Sequence, residues 1–247
     1  MLQFYRAAAL AALLALCSGV RANDVITLTS GEWLPYMSPS LPHYGPLSRI
    51  VSEAFALEGV EVRYVFRPWS RAYVEATAHG VNGSMVWSVS PRDSERRLRF
   101  YLSDTVLDGQ SVFFHLKSYP FRWAGYTQLV GVRLGGTAGY EYAFDRYPGM
   151  RVDRAAASDE QNFVKLAAGR FDVFPANLDV GRQILRGLPA EQAERITWDP
   201  HPYNITHYYL LLNKVNADNQ RYLALFNRGL RRLKASGKYA EYLGALK

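Results

Sequence analysis

The chain has 247 residues, of which 49% are hydrophobic, 21% charged and 14% aromatic, and its formal net charge is +7. That balance excludes a disordered chain, and 19 glycines without a G-X-Y period exclude a collagen-like one. A single cysteine, Cys17, excludes a disulfide framework and a cysteine-based zinc site.

Residues 1–22 read as a secretory signal peptide. Arg6 precedes an unbroken apolar run of eleven residues, 7–17, too short for a bilayer span of about 20. Small residues at Val20 and Ala22 then offer cleavage before Asn23. A lipoprotein would acylate Cys17, but Leu16 stands where a small residue is wanted. No other stretch approaches spanning length. The expected mature protein is an exported, cysteine-free chain, and a bacterial periplasm suits it. Cleavage lowers the net charge from +7 to +5, because Arg6 and Arg21 leave and no acid does. The remaining Lys and Arg are scattered, apart from a C-terminal group opposite an apolar helix face. That pattern is solvated surface and not a nucleic-acid footprint.

The mature sequence alternates strands and helices. Residues 24–29 (DVITLT) are β-branched and alternating, which predicts a strand. Leu47, Ile50, Val51, Ala54 and Phe55 follow one helical face, with Gly59 as the stop. A strand over 62–66, a helix over 70–78 and a short strand over 84–87 follow, so the order predicts a parallel sheet with right-handed crossovers. The pattern then recurs. A strand is predicted over 129–134, and the run Gly135-Gly136-Thr137-Ala138-Gly139 reads as a turn into a helix. Ser158 and Gln161 form a capping box ahead of Phe163, Leu166 and Ala167, and Gly169 closes that helix. A strand over 172–174 comes next, and the last section begins with 206–212. It ends in a helix whose Leu223, Phe226, Leu230 and Leu233 share one face.

Four stretches in this order are similar to a known family. They are Gly31-Glu32-Trp33-Leu34-Pro35-Tyr36 after the first strand, Ser94-Glu95-Arg96 with Ser103-Asp104 seven residues beyond the arginine, Gly135-Gly136-Thr137, and the ending FNRGLRRLKASGKYAEYL. The chain resembles the bacterial family 3 solute-binding proteins, the periplasmic receptors of amino-acid ABC transporters. The resemblance implies an α/β clamshell of the type II periplasmic-binding fold. Each lobe would be a mostly parallel sheet flanked by helices. Lobe 1 would comprise residues 24–108 plus 206–247 and lobe 2 residues 109–205, with hinge strands near 108–110 and 203–207. A small polar or anionic solute would be held between the lobes and delivered to a membrane ABC permease by a monomeric receptor.

The resemblance also implies site residues. Arg96 matches the arginine that grips the ligand carboxylate, for which a planar guanidinium fork is suited. Arg92 is the substitute if the loop aligns differently, and a solvent-facing arginine in a basic helix is the bland reading. Thr137 would open a helix whose amides attract a carboxylate; a simple turn is the other reading. Trp33, Tyr36, Trp69 and Trp87 lie at strand ends or in the loops after them, where open α/β sheets place ligands. For Trp69, packing against the following helix competes with ligand contact. Asn177 stands eight residues after Gly169, where the family's amino-acid receptors carry the aspartate that pairs with the ligand ammonium. An amide cannot neutralise a cation, so the ordinary α-amino-acid ligand is in question, with Asp179 or Asp172 as compensating acids.

No G-x-S-x-G, H-E-x-x-H or Walker sequence is present, and the five histidines show no i, i+4 pairing. No metal or cofactor is expected. Two other readings stay open. One is an enzyme on the same fold, like the periplasmic cyclohexadienyl dehydratases, with Glu141 as its acid or base. The other is a ligand-sensing partner of a membrane signalling protein.

Overall fold

The protein is described here by a computed structural model covering residues 24–89, 93–140, 142–244 and 246. The expected signal peptide, Arg92 and Glu141 lie outside the described residues. Strand β1 (Asp24–Ser30) is followed by α1 (Pro46–Ala56), β2 (Val60–Phe66), α2 (Trp69–Ala76) and β3 (Gly83–Ser88). The two flanking strands pair parallel with β1, Asp24 opposite Val60 and Leu28 opposite Gly83, as a β-α-β-α-β order requires. Helix α1 buries Leu47, Ile50, Val51, Ala54 and Phe55, the five residues whose spacing predicted it.

A short helix α3 (Ser94–Arg99) and strand β4 (Phe100–Leu102) lead to the ten-residue β5 (Leu107–Leu116). The middle of the chain forms β6 (Arg133–Thr137), β7 (Arg151–Ala156), α4 (Asp159–Ala167), β8 (Val173–Asn177), α5 (Leu178–Gly187), α6 (Ala190–Ala193) and β9 (Ile196–Trp198). The ten-residue β10 (Asn204–Asn213) then returns to pair antiparallel with β3 and β5, and α7 (Asn219–Ala235) and α8 (Lys238–Gly244) finish the chain.

The strand order β2-β1-β3-β10-β5-β8-β6-β7 contains the same device twice. A parallel trio, β2-β1-β3 or β7-β6-β8, is flanked by one long antiparallel strand, β10 or β5, and those two strands pair with each other. The fold is therefore two-lobed. One apolar core gathers Ile26, Leu47, Phe55, Leu107, Leu210 and Phe226 from the two ends of the chain. The other lobe packs around Phe114, Phe163 and Phe174 on one side of its sheet and Phe113, Leu134 and Phe144 on the other. Helix α7 lies so close to α1 that a Cβ on Gly229 would sit 1.9 Å from the Ala54 carbonyl oxygen.

The chain departs from expectation around residues 126–140. Leu129 lies in a 3₁₀ turn (Tyr126–Leu129), and the strand runs over 133–137, so the two glycines sit inside it. They are there for close packing and not for turning. A Cβ on Gly135 would meet the Phe171 ring at 2.4 Å, and one on Gly136 would meet Val152 at 2.8 Å. No helix follows among the described residues between Thr137 and β7.

Candidate functional site

A cleft of about 580 Å³ opens between the lobes and takes side chains from both. That volume suits a small solute. From the first lobe come Trp33, Trp69, Trp87, Ser88 and Arg96; from the second come Tyr140, Tyr142, Asp159, Asn177 and Tyr203. Beyond Trp33, Trp69, Tyr140, Asp159 and Val180 the space continues into a second compartment of about 710 Å³.

The first-lobe wall is shaped by a defect in β3. Tyr209 pairs with Trp87 and Leu211 with Ser84, so Met85 and Val86 together face the single residue Leu210. That is a β-bulge, and Val86 takes a φ of 45°, a left-handed conformation that a β-branched side chain rarely adopts. Strain of this kind costs on the order of 1–3 kcal/mol and clusters at functional sites. Its consequence is that Trp87 and Ser88 line the cleft directly after it. Trp87 donates from Nε1 to Ser84 Oγ at 2.8 Å, and its ring meets Trp69 edge-on at 5.0 Å.

Arg96 is held against this wall. Its Nη1 donates to the Ser88 carbonyl oxygen at 2.9 Å and to Asp93 Oδ2 at 2.8 Å. Its guanidinium lies 5.0 Å from the Trp87 ring centre and 5.5 Å from that of Tyr73. Asp93 also caps α3 by accepting from the Arg96 amide. One nitrogen of the fork is thus spent on orientation. Nε is buried without a hydrogen-bond partner among the described residues, which leaves a donor for something else. A lone Arg–carboxylate grip uses two such donors side by side.

Trp33 lines the cleft and packs on Tyr36 and Tyr208 with ring centres 4.6 and 4.9 Å away. Trp69 serves both readings: it covers Gly31, where a Cβ would lie 2.2 Å from the indole, donates to the Glu32 carbonyl oxygen, and lines the cleft. Tyr36 is placed differently from expectation. It is buried behind Trp33, and its hydroxyl donates across the lobes to Asp179 Oδ2 at 2.7 Å, with Asn177 Oδ1 3.1 Å away. Burial and the Asp179 carboxylate push this phenol well above the ordinary tyrosine range.

Asn177 caps α5. Its Oδ1 accepts from the amides of Asp179 and Val180, so its Nδ2 is the end left to address the cleft. That nitrogen lies beside Gly109 of β5, where a Cβ would approach it to 2.9 Å. Asp172 is not near this place; it pairs with Arg133 on the surface of the second lobe.

Thr137 is buried at the end of β6 and has no helix start to offer. Its amide donates to the Tyr142 hydroxyl at 2.8 Å, and its hydroxyl donates to Asp159 and accepts from Asn162. Its hydrogen-bonding groups are thus turned inward, and the carboxylate it holds, Asp159, is the group that meets the cleft. Asp159 opens α4 directly after the Ser158 cap. Burial pushes its carboxyl above the ordinary aspartate value, against the Thr137 hydrogen bond; Glu160 adds to the rise. Among the described residues that line the 580 Å³ cleft, Arg96 and Asp159 are the two that carry charge. The signal for Asp159 in the sequence was its place beside the capping box, and for the tyrosines there was none.

No family model and no curated protein sequence matches the chain. Solved structures match over nearly all of it. A variant of ArgBP from T. maritima is 19% identical, with a TM-score of 0.65 over 92% of this chain and 96% of that one. A histidine kinase sensor domain with similarity to periplasmic binding proteins is 18% identical, with a TM-score of 0.69 over 91% and 98%. An amino acid ABC transporter substrate-binding protein from Streptococcus pneumoniae, bound to L-arginine, is 14% identical, with a TM-score of 0.65 over 89% and 94%. The fold of this chain is the two-lobed clamshell of the periplasmic binding proteins.

Proposed function

We propose that the protein is a periplasmic solute receptor and not an enzyme: it captures a small carboxylate-bearing solute between its lobes and delivers it to a membrane ABC permease. The observation that carries this is the half-used fork of Arg96, a cleft-lining residue oriented by Asp93, Ser88 and Trp87 whose Nε is left without an acceptor among the described residues. A carboxylate accepting from that edge completes the hydrogen bonding of a group that is otherwise left short. Trp33, Trp69 and Trp87 would cover the apolar part of the ligand.

In this reading residues 24–108 with 206–247 move against 109–205 about β5 and β10, and the solute is enclosed as the lobes close. The amino-acid ABC transporter protein among the structural neighbours supports the transport role. The kinase sensor domain supports a second reading, in which the loaded receptor is presented to a membrane sensor. Deleting this gene and measuring uptake of the bound solute separates the two, because only the transport reading expects uptake to fall.

Titration calorimetry on the purified protein with amino acids, other small carboxylates and amines tests the binding itself. Wild type should bind carboxylate-bearing compounds, and Arg96→Lys, which keeps the charge and loses the fork, should weaken them at least about tenfold. Binding indifferent to Arg96 would refute the assignment.

A further inference from the structure

The charge on the second-lobe wall has no cationic partner among the described residues, and it is not where the family resemblance puts one. Asn177 is occupied as a helix cap and is uncharged. Asp179 is engaged by Tyr36, and Asp172 by Arg133. Asp159 remains. Its Oδ1 accepts from Thr137, and the charge acting on it is the like charge of Glu160, with no cation among the described residues. It lines both compartments, so it stands at their junction. The second compartment adds Glu32 and Glu160 and no described base. Tyr140 and Trp33 border the same junction, and aromatic rings favour cations over anions.

We propose that Asp159 is the cation receptor of the cleft, so that the solute is a carboxylate that also bears an ammonium or guanidinium group, its carboxylate on Arg96 and its cation on Asp159. The carboxylate half of this statement rests on the function proposed above; the cation half rests on Asp159 alone. A ligand of that kind gives Asp159 a cationic partner and gives the unused donor of Arg96 an acceptor. A dicarboxylate would satisfy Arg96 and place a second negative charge against an unpaired acid.

The test compares wild type, Asp159→Asn, Asp159→Glu and Arg96→Ala by calorimetry, with four probes: L-arginine, L-alanine, agmatine (a cation without a carboxylate) and glutarate (carboxylates without a cation). Circular dichroism checks that each variant is folded. Wild type should bind L-arginine or L-alanine and not glutarate. Asp159→Asn should weaken the bound amino acid at least about tenfold, and Asp159→Glu should restore part of that loss. If Asp159→Asn leaves amino-acid affinity within about twofold, or if wild type binds glutarate alone or no probe, the assignment of Asp159 is overturned. Failure of the carboxylate reading has a different signature: agmatine would bind as well as L-arginine, dependent on Asp159 and indifferent to Arg96→Ala.

Discussion

Arg96 and Asp159 face one cleft from different lobes, and they are held by different means. The guanidinium is neutralised in advance by Asp93, anchored on a backbone oxygen and set within 5.5 Å of the Tyr73 and Trp87 ring centres. The carboxylate has one hydroxyl, one like-charged neighbour and no counter-ion among the described residues. The basic wall therefore offers hydrogen-bond donors more than net charge, and the acidic wall offers net charge with little support. Geometry should dominate recognition at the first and Coulomb attraction at the second. Salt should accordingly weaken the cation contact more than the carboxylate contact.

The largest break in this comparison is Arg96→Ala. It removes the fork, leaves Asp93 without its ion-pair partner beside α3, and makes the mouth more negative by one charge. Affinity for carboxylate-bearing ligands should fall at least about a hundredfold, or about 2.7 kcal/mol. The fold should survive, because α3 keeps its Asp93 cap and the lost side chain serves no apolar core. Calorimetry and circular dichroism on the same preparation check both halves. An Arg96→Ala protein that still binds wild-type ligands would mean that the carboxylate sits elsewhere.

The two walls also differ in how far the sequence disclosed them. Arg96 and Trp33 lie in short motifs that the resemblance marked, and Trp69 and Trp87 were marked by their place at or after the ends of predicted strands. On the second-lobe wall the resemblance marked Asn177 and missed the rest. Asp159 looks like one more acid in the first turn of a helix, the ordinary place for one. Tyr140, Tyr142 and Tyr203 are three of 17 tyrosines with no spacing to set them apart. Gly135 and Gly136 mislead, because a glycine pair that admits Phe171 and Val152 to a strand looks locally like a turn. Thr137 was consequently expected at a helix start that does not form there. Its true partner lies 22 residues away, a contact that only the folded sheet creates. The parallel sheets and the amphipathic helices were legible because their periodicity is local. The bulge at Val86 was not, since it is a property of pairing between β3 and β10.

Tyr36 probes the contact between the walls. Its hydroxyl is a first-lobe donor to a second-lobe carboxylate, so Tyr36→Phe removes a charge-assisted bond from the arrangement in which the lobes meet. Such a bond contributes about 1.5–3 kcal/mol. If enclosure of the ligand needs this arrangement, affinity should fall about tenfold, and small-angle scattering should report a larger radius with ligand present. An unchanged affinity would show that Tyr36 fills space and no more. Asn177→Asp is expected to act in the opposite direction. It keeps the oxygen that caps α5 and replaces the cleft-facing amide with a carboxylate, so affinity for cation-bearing ligands should rise, by less than about tenfold. A loss instead would mean that a second carboxylate beside Asp179 disturbs the Tyr36 contact more than it attracts the ligand.

The smallest effect is the most specific to the imbalance between the walls, and it needs no ligand. Asp159 is pushed up from its ordinary value of 3.8 by burial, with Glu160 adding to the rise. Tyr140, Tyr142 and Tyr203 surround it as neutral groups, and Thr137 opposes the shift by donating to it. A carboxyl whose folded value is raised binds its proton more tightly in the folded chain. Its contribution to stability is therefore fully present below pH 3.8 and is lost as pH rises through the raised value. At pH 7 the ionised side chain weighs against the ligand-free fold. Asp159→Asn keeps an oxygen for Thr137 and gives up the favourable contact of an anion with the α4 amides, which is worth about 0.3–1 kcal/mol. Because the net shift is upward, desolvation outweighs that contact. The ligand-free variant should then melt slightly above wild type at pH 7, and the difference should shrink as pH falls below 3.8. A variant less stable than wild type at pH 7 would mean that Asp159 serves the helix start first and the ligand second.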